Sequence, residues 1–262
     1  MGFWLPVLSL WQREIVRFVR QRSRVVGALV QPLLFWVLLG SGFRASFRAP
    51  GTPEGGGMSY AEYFYPGIIA LVLLFTAIFS TISTVQDRNE GFLQGVLVAP
   101  APRSSIVLGQ ALGGTTLALV EGLLLLLLAP LAGIPLTVQS VVLSLAVMAL
   151  LSFGMTSLGL AIAWRMESVQ GFHAIMNLFL MPLWLLSGAI FPAGGAPVWL
   201  GWVMRVNPMT YGVAALRRSM YWGGPAGAAS PLPSFSTSLI VTILFSILIF
   251  LTTVWIATRR SV

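Results

Sequence analysis

The sequence predicts an all-α membrane protein: six transmembrane helices, an N-terminal interfacial amphipathic helix, and short re-entrant or outer-leaflet helices before the last span. Three observations predict it. First, only 8% of the 262 residues are charged, against about 25% in soluble domains, and the mean hydropathy is +0.89. Too little charge is present to solvate a globular surface. Second, six apolar stretches of about 19 to 27 residues are each long enough to cross a hydrocarbon core of about 30 Å. Third, the connections between them are too short to house a soluble domain. The chain therefore reads as a single transmembrane domain over residues 1–262.

The elements follow in order. In residues 1–24, Trp4, Leu8, Trp11, Ile15 and Phe18 recur at helical spacing within one narrow arc. Arg13, Arg17, Arg20 and Arg24 fall in the opposite arc. A helix with aromatics on one side and arginine on the other is expected to lie flat in the headgroup region. A secretory leader would need a shorter basic part, and no convincing small-x-small cleavage site follows Phe43.

The spans are expected at residues 25–43, with Pro32 near the middle, and at 67–85, 104–128, 138–164, 172–191 and 237–257. With the N-terminus inside, ten arginines fall on the cytoplasmic side and five, Arg44, Arg48, Arg205, Arg217 and Arg218, outside. That bias sets both termini in the cytoplasm. The 86–103 connection is then a cytoplasmic loop carrying Asp87, Arg88 and Glu90. The 192–236 connection begins apolar but is too broken to span. Short helices in the outer leaflet are expected there, since backbone at that depth must be helical or covered by protein.

Composition excludes several chemistries. All 15 basic residues are arginine, and a Walker A loop needs Lys on the phosphates, so ATP chemistry must reside elsewhere. Cysteine is absent and there is one histidine, His173, which removes disulfides and the usual zinc sites. No metal ligand set and no catalytic residue is expected. The net charge of +8 is explained by membrane topology rather than by nucleic acid. No internal repeat is evident, which counts against a secondary-transporter architecture.

Two segments resemble the permease subunits of ABC type-2 exporters. Residues Glu90-Gly91-Phe92-Leu93-Gln94-Gly95-Val96-Leu97-Val98-Ala99-Pro100, followed by Arg103 and Ile106 to Gly109, look like that family's E-x-G-T-L-x-x-L-x-x-x-P cytoplasmic segment, with Phe92 in place of the usual Thr. Residues Asn207-Pro208-Met209-Thr210-Tyr211, then Ala215-Leu216-Arg217, look like its N-P-[LM]-T-Y … A-[LF]-R segment. The arginine-rich opening helix and the first span with Pro32 also match. Within the family, the drug and small-lipophile exporters are nearer than the polysaccharide exporters.

The resemblance implies a half-transporter in the bacterial or archaeal inner membrane. Two permease copies, identical or different, would sit on two ABC ATPase subunits that hold ATP and Mg; this chain would hold no cofactor. Asp87, Arg88, Glu90, Gly91, Phe92, Leu93 and Pro100 would form a coupling helix docked on the ATPase. From the residues alone, the same loop reads equally well as a solvated connection. A lipid-linked polysaccharide permease is the alternative within the family, and a proton-coupled carrier is the alternative outside it.

Two faces are candidates for a translocation path. Thr76, Ser80 and Ser83, with Thr84, share a face of the second span, and Asn177, Met181 and Trp184, with Gly188, share one in the fifth. Hydroxyl, amide, thioether and aromatic groups suit a bulky amphipathic ligand. Interhelical packing accounts for any one of them equally well. Packing is the expected role of the Gly109 and Gly113 pair. Glu121, well inside the third span, is a proton or cation site, a carboxyl bonded across helices, or one near enough the outer interface to snorkel; a structural or interfacial role is favoured.

Overall fold

The computed structural model describes residues 2–20, 22–42, 58–98, 100–190, 197–224 and 233–259. Phe43 and Phe191, at expected span ends, and residues 192–196 and 225–232 of the expected outer-leaflet connection lie outside them. Among the described residues the regular elements are all helices, without strands. The helices are α1 (Trp4–Arg20), α2 (Arg22–Gly42), α3 (Tyr60–Ser80), α4 (Ile82–Asn89), α5 (Phe92–Val98) and α6 (Arg103–Leu128). A 3₁₀ turn (Ala129–Ala132) leads to α7 (Val138–Ala163), α8 (Val169–Leu185), α9 (Val198–Val206), α10 (Pro208–Met220) and α11 (Phe235–Arg259).

Among the described residues, four stretches are long and apolar enough to cross a membrane: Tyr60–Asn89, Arg103–Ala132, Val138–Ala163 and Phe235–Arg259. Their positions agree with the expected second, third, fourth and sixth spans. The expected first and fifth spans correspond to α2, apolar over Pro32–Gly42, and to the 17-residue α8.

Several boundaries differ, each for a local reason. The second span starts at Tyr60, not at residue 67. Ser59 and Glu62 close a capping box that satisfies the first backbone N–H groups of α3. The helix then continues past residue 85 to Asn89 with one break at Thr81, so the expected loop is helical at both ends. Its turn is Gly91, whose φ of +78° favours glycine. Helix α8 begins at Val169, capped by the Ser168 hydroxyl, and gives way at Leu186 to turns that include Gly188 at φ +78°.

Helix α3 is the axis of the bundle. Of its most apolar 18-residue window 89% is buried, against 22% for α11, so α3 is wrapped by other helices whereas α11 is peripheral. Helices α2, α6, α7 and α10 pack on it. Exposed Ile240, Leu244, Leu248 and Leu251 on α11 and Val120, Leu124 and Leu127 on α6 form apolar surfaces of the kind that faces lipid. Small and hydroxyl side chains join the helices. Ser144 and Ser219 bond across α7 and α10 at 3.0 Å, and Thr253 donates to the Ser157 carbonyl at 2.8 Å.

The described part of the connection between α8 and α11 is partly set into the bundle. Met209, Val213, Leu216 and Met220 of α10 are core residues packed among α3, α7 and α11, whereas Val198, Trp199 and Trp202 of α9 remain exposed.

Candidate functional site

The first candidate is the elbow formed by α4 and α5. Asp87 is 1% exposed. Its carboxylate accepts two hydrogen bonds from Arg13, both 2.6 Å, and one from Arg17 at 3.0 Å. Arg17 also donates to the Gln86 amide oxygen at 2.5 Å. The Asp87 hydrogen bond is the main cause holding the Arg13 guanidinium above its ordinary value. The same guanidinium lies 4.0 Å from the centre of the Phe92 ring. Arg88 points to the other side, donating to the Trp164 and Met166 carbonyls at 2.7 Å each, where α7 leaves carbonyls without helical donors.

Asp87 and Arg88 are therefore engaged inside the chain, and Leu93 is 3% exposed in a small apolar core with Ile106, Trp164 and Ile256. Glu90, Phe92 and Pro100 are exposed, as are Gln94 and Val98. Of the residues expected at this segment, three are anchors, Gly91 is the turn, and three present a surface.

Helix α1 differs from the sequence expectation in its facing. Val7, Leu10, Glu14 and Phe18 are buried, a stripe that starts at Phe18 on the edge of the aromatic arc and runs toward the arginine arc. That stripe packs on α6 at Gly109 and Gly113. A Cβ on Gly109 would lie 2.8 Å from the Val7 carbonyl oxygen, and one on Gly113 would lie 2.7 Å from the Glu14 Cβ. Packing is confirmed as the use of this glycine pair, with α1 as the partner. Trp4, Leu8 and Val19 stay exposed. Burial pushes the Glu14 carboxyl up; a Ser83 hydrogen bond and the Arg13 charge oppose it.

The second candidate is a cleft of about 460 Å³ with α3 as its floor, lined also by α2 and α8. Thr76, Met181 and His173 line it, together with Phe35, Phe75 and Gln86. The hydroxyl stripe otherwise faces away. Thr76 donates to the buried Glu121 carboxyl of α6, Ser80 lies where a side chain on Gly114 would go, and Ser83 faces Glu14. These three pack against α6 and α1. The fifth-span face is also divided. Asn177 is exposed, Met181 half-buried in the cleft, and Trp184 buried, its indole N–H donating to the Gly67 carbonyl at 2.8 Å.

Arg217 carries a role that charge counting missed. It is 2% exposed. Its guanidinium donates to the Tyr63 hydroxyl, the Tyr63 carbonyl and the Gly188 carbonyl at 3.2–3.3 Å, and sits 4.0 Å from the Tyr63 ring centre. Asn207 caps α10 by accepting from the Met209 N–H at 2.9 Å and donates to the Leu183 carbonyl at 2.7 Å. The Asn-Pro-Met-Thr-Tyr segment thus ties α10 to α8, and Arg217 ties α10 to α3. Pro208 at the first helical position of α10 was the readable signal.

Comparison with known proteins gives a consistent result. A family model described as "ABC-2 type transporter" matches residues 6–221. Among similar curated proteins is the putative transport permease ycf38 of Cyanophora paradoxa, 28% identical over 79% of this chain and 71% of its own length. Nodulation protein J of Rhizobium leguminosarum bv. trifolii is 26% identical, over 81% and 80%. The inner membrane transport permease YadH of Escherichia coli (strain K12) is 23% identical, over 82% of both.

Proposed function

This chain belongs to the ABC-2 type transporter family, and from that premise we propose that it is the membrane subunit of an ATP-driven exporter moving a lipophilic compound or lipid outward across the inner membrane. ATP and Mg are held by a separate ABC ATPase, since the chain has no lysine for a Walker A loop. Two permease copies pair. Each crosses the membrane six times, α2 and α8 completing the four long spans, with both termini in the cytoplasm. The face of α8 that exposes Asn177 suits a protein- or water-lined passage, because an amide at membrane depth is costly against lipid.

The observation that carries the proposal is the braced elbow. Helices α4 and α5 are tied to α1 through Asp87 and to α7 through Arg88, while Glu90, Phe92 and Pro100 remain exposed. A surface held from both sides can pass a push from a docked ATPase into the bundle rather than yield locally. Glu90 supplies charge that fixes register, and Phe92 an apolar key. Asp87, Arg88 and Leu93 hold that surface in place.

The test is purification of the chain with its ATPase and reconstitution in vesicles. ATP-dependent transport is expected. Glu90→Ala and Phe92→Ala should each lower transport and stimulated ATP hydrolysis while the permease stays folded. Full transport in both variants, or transport driven by a pH gradient without any ATPase, overturns the proposal.

A further inference from the structure

Helix α8 is tied to its neighbours in two different ways, and the change falls at Pro182. Beyond the proline the ties are hydrogen bonds. The Trp184 indole N–H donates to the Gly67 carbonyl at 2.8 Å, and the Asn207 amide donates to the Leu183 carbonyl at 2.7 Å. The Gly188 carbonyl accepts from the Tyr63 hydroxyl at 3.1 Å and from Arg217 at 3.3 Å. Backbones also meet there: a Cβ on Gly67 would lie 2.9 Å from the Ala189 carbonyl oxygen. Ser187, Gly188 and Ala189 are buried.

Before the proline the ties are apolar. Among the described residues, no hydrogen bond or ion pair joins residues 169–181 to another helix. Phe172, Met176 and Leu180 are buried in the core, and the His173 ring lies 5.4 Å from that of Phe79. Apolar contact is non-directional and tolerates tilting, whereas hydrogen-bonded groups must keep their distance and angle.

Pro182 stands inside the helix between these two parts. It has no N–H, so the Leu178 carbonyl lacks its helical donor. Bends in helices concentrate at such positions. The cleft on α3 respects the same division, since its α8 lining is Val169, His173 and Met181, all before the proline.

We infer that α8 is a lever hinged at Pro182. Residues 183–190 are its anchor, fixed to α3 and α10, and residues 169–181 tilt as its arm and set the width of the cleft. Trp184, Asn207, Tyr63 and Arg217 are positioning residues for the anchor. The inference goes beyond the exporter reading, because the asymmetry belongs to this chain's own contacts and needs no ATPase.

The test uses single cysteines in the full chain, which has none of its own, in nanodiscs without ATP or ATPase. N-ethylmaleimide labelling of a buried thiol reports local opening. Met176→Cys reads the arm and Ser187→Cys the anchor. Each rate is divided by that of an exposed neighbour, Asn177→Cys or Leu185→Cys, which corrects for reagent access. The arm ratio should exceed the anchor ratio about tenfold, and Leu180→Cys should behave as Met176→Cys. Adding Pro182→Ala restores a backbone donor and should lower the arm ratio about fivefold, the effect of one hydrogen bond, with the anchor ratio unchanged. Adding Trp184→Phe removes the donor to Gly67 and should raise the anchor ratio alone.

Equal ratios for arm and anchor would show that α8 opens as one body and overturn the inference. So would a Pro182→Ala effect that is absent, or the same at both positions. No nucleotide is present, so either failure leaves the ATPase-coupled reading standing.

Discussion

Arg13 and Asp87, separated by 74 residues, meet in a two-pronged ion pair with both N–O distances at 2.6 Å. The pair fixes α1 to the α4 end of the central rod, and Arg17 adds a third bond at 3.0 Å. The Asp87 side chain is 1% exposed and that of Arg13 29%, so the cost of breaking the pair is asymmetric.

Asp87→Asn should therefore destabilise more than Arg13→Ala. The first leaves two guanidinium groups facing an amide and costs about 2–4 kcal/mol. The second leaves Arg17 on the carboxylate and costs about 1–2 kcal/mol. Thermal unfolding in detergent measures both, and the double variant should lose less than the sum. Equal losses would mean that Arg17 does not share the load.

Glu14 gives α1 a pH dependence with a defined sign. Its carboxyl, ordinarily at 4.5, is raised in the docked helix, chiefly by burial. Between 4.5 and the raised value the docked state holds more protons than the undocked one, so docking weakens as pH rises through that window. Above the window the full cost remains. Glu14→Gln should raise the melting temperature at neutral pH and flatten the slope above 4.5. A variant with unchanged slope would place the titration elsewhere.

The α1–α6 contact depends on glycine. Gly109→Val would drive a side chain into the Val7 carbonyl, 2.8 Å from the first added carbon, and backbone cannot step aside as a flexible side chain can. A cost of about 1–3 kcal/mol and local undocking are expected. The chain has no cysteine, so a single Leu10→Cys substitution reports cleanly. At this buried position it should resist maleimide in the parent and react when Gly109→Val is added.

What was legible in the sequence was whatever follows from hydropathy and periodicity. The spans at 104–128 and 138–164 agree with α6 and α7 to within a residue, because long, largely apolar runs begin just after Pro102, which precedes α6, and Thr137, whose side chain caps α7. The start at Tyr60 was readable too, since Ser59 and Glu62 have capping-box spacing. It was hidden by three tyrosines and a glutamate that dilute the hydropathy of a buried turn. The sites were less legible. Arg217 counts as an outer charge in any topology tally, and only the folded chain shows it against Tyr63. Thr76, Ser80 and Ser83 do share a face, as the period says, but period alone cannot tell a passage from α6.

Arg217 should tolerate an apolar replacement better than a conservative one. Its fork reaches Tyr63 and Gly188 at 3.2–3.3 Å, a geometry that a lysine cannot match. Arg217→Lys buries a charge with fewer bonds and should cost about 2–4 kcal/mol. In Arg217→Met the Gly188 carbonyl still accepts from the Tyr63 hydroxyl at 3.1 Å, so the loss should be smaller. Melting temperatures of the two variants decide the order, and the reverse order would mean that the charge itself is needed.

Glu121 and Thr76 bond across α6 and α3 in the middle of the bundle, beside Gly122, where Leu73 and Met148 leave no room for a side chain. A carboxyl used for packing needs only a partner for its hydrogen bond, whereas a relay needs a proton it can give up. Glu121→Gln keeps the acceptor and the shape but cannot ionise, so transport should persist in the reconstituted complex with stability within about 1 kcal/mol of the parent. Thr76→Val removes the hydroxyl and with it one hydrogen bond of a buried carboxyl, at a cost of about 1–2 kcal/mol. If Glu121→Gln abolishes transport while the complex assembles and stays folded, Glu121 is a working proton site and the packing role assigned to it fails.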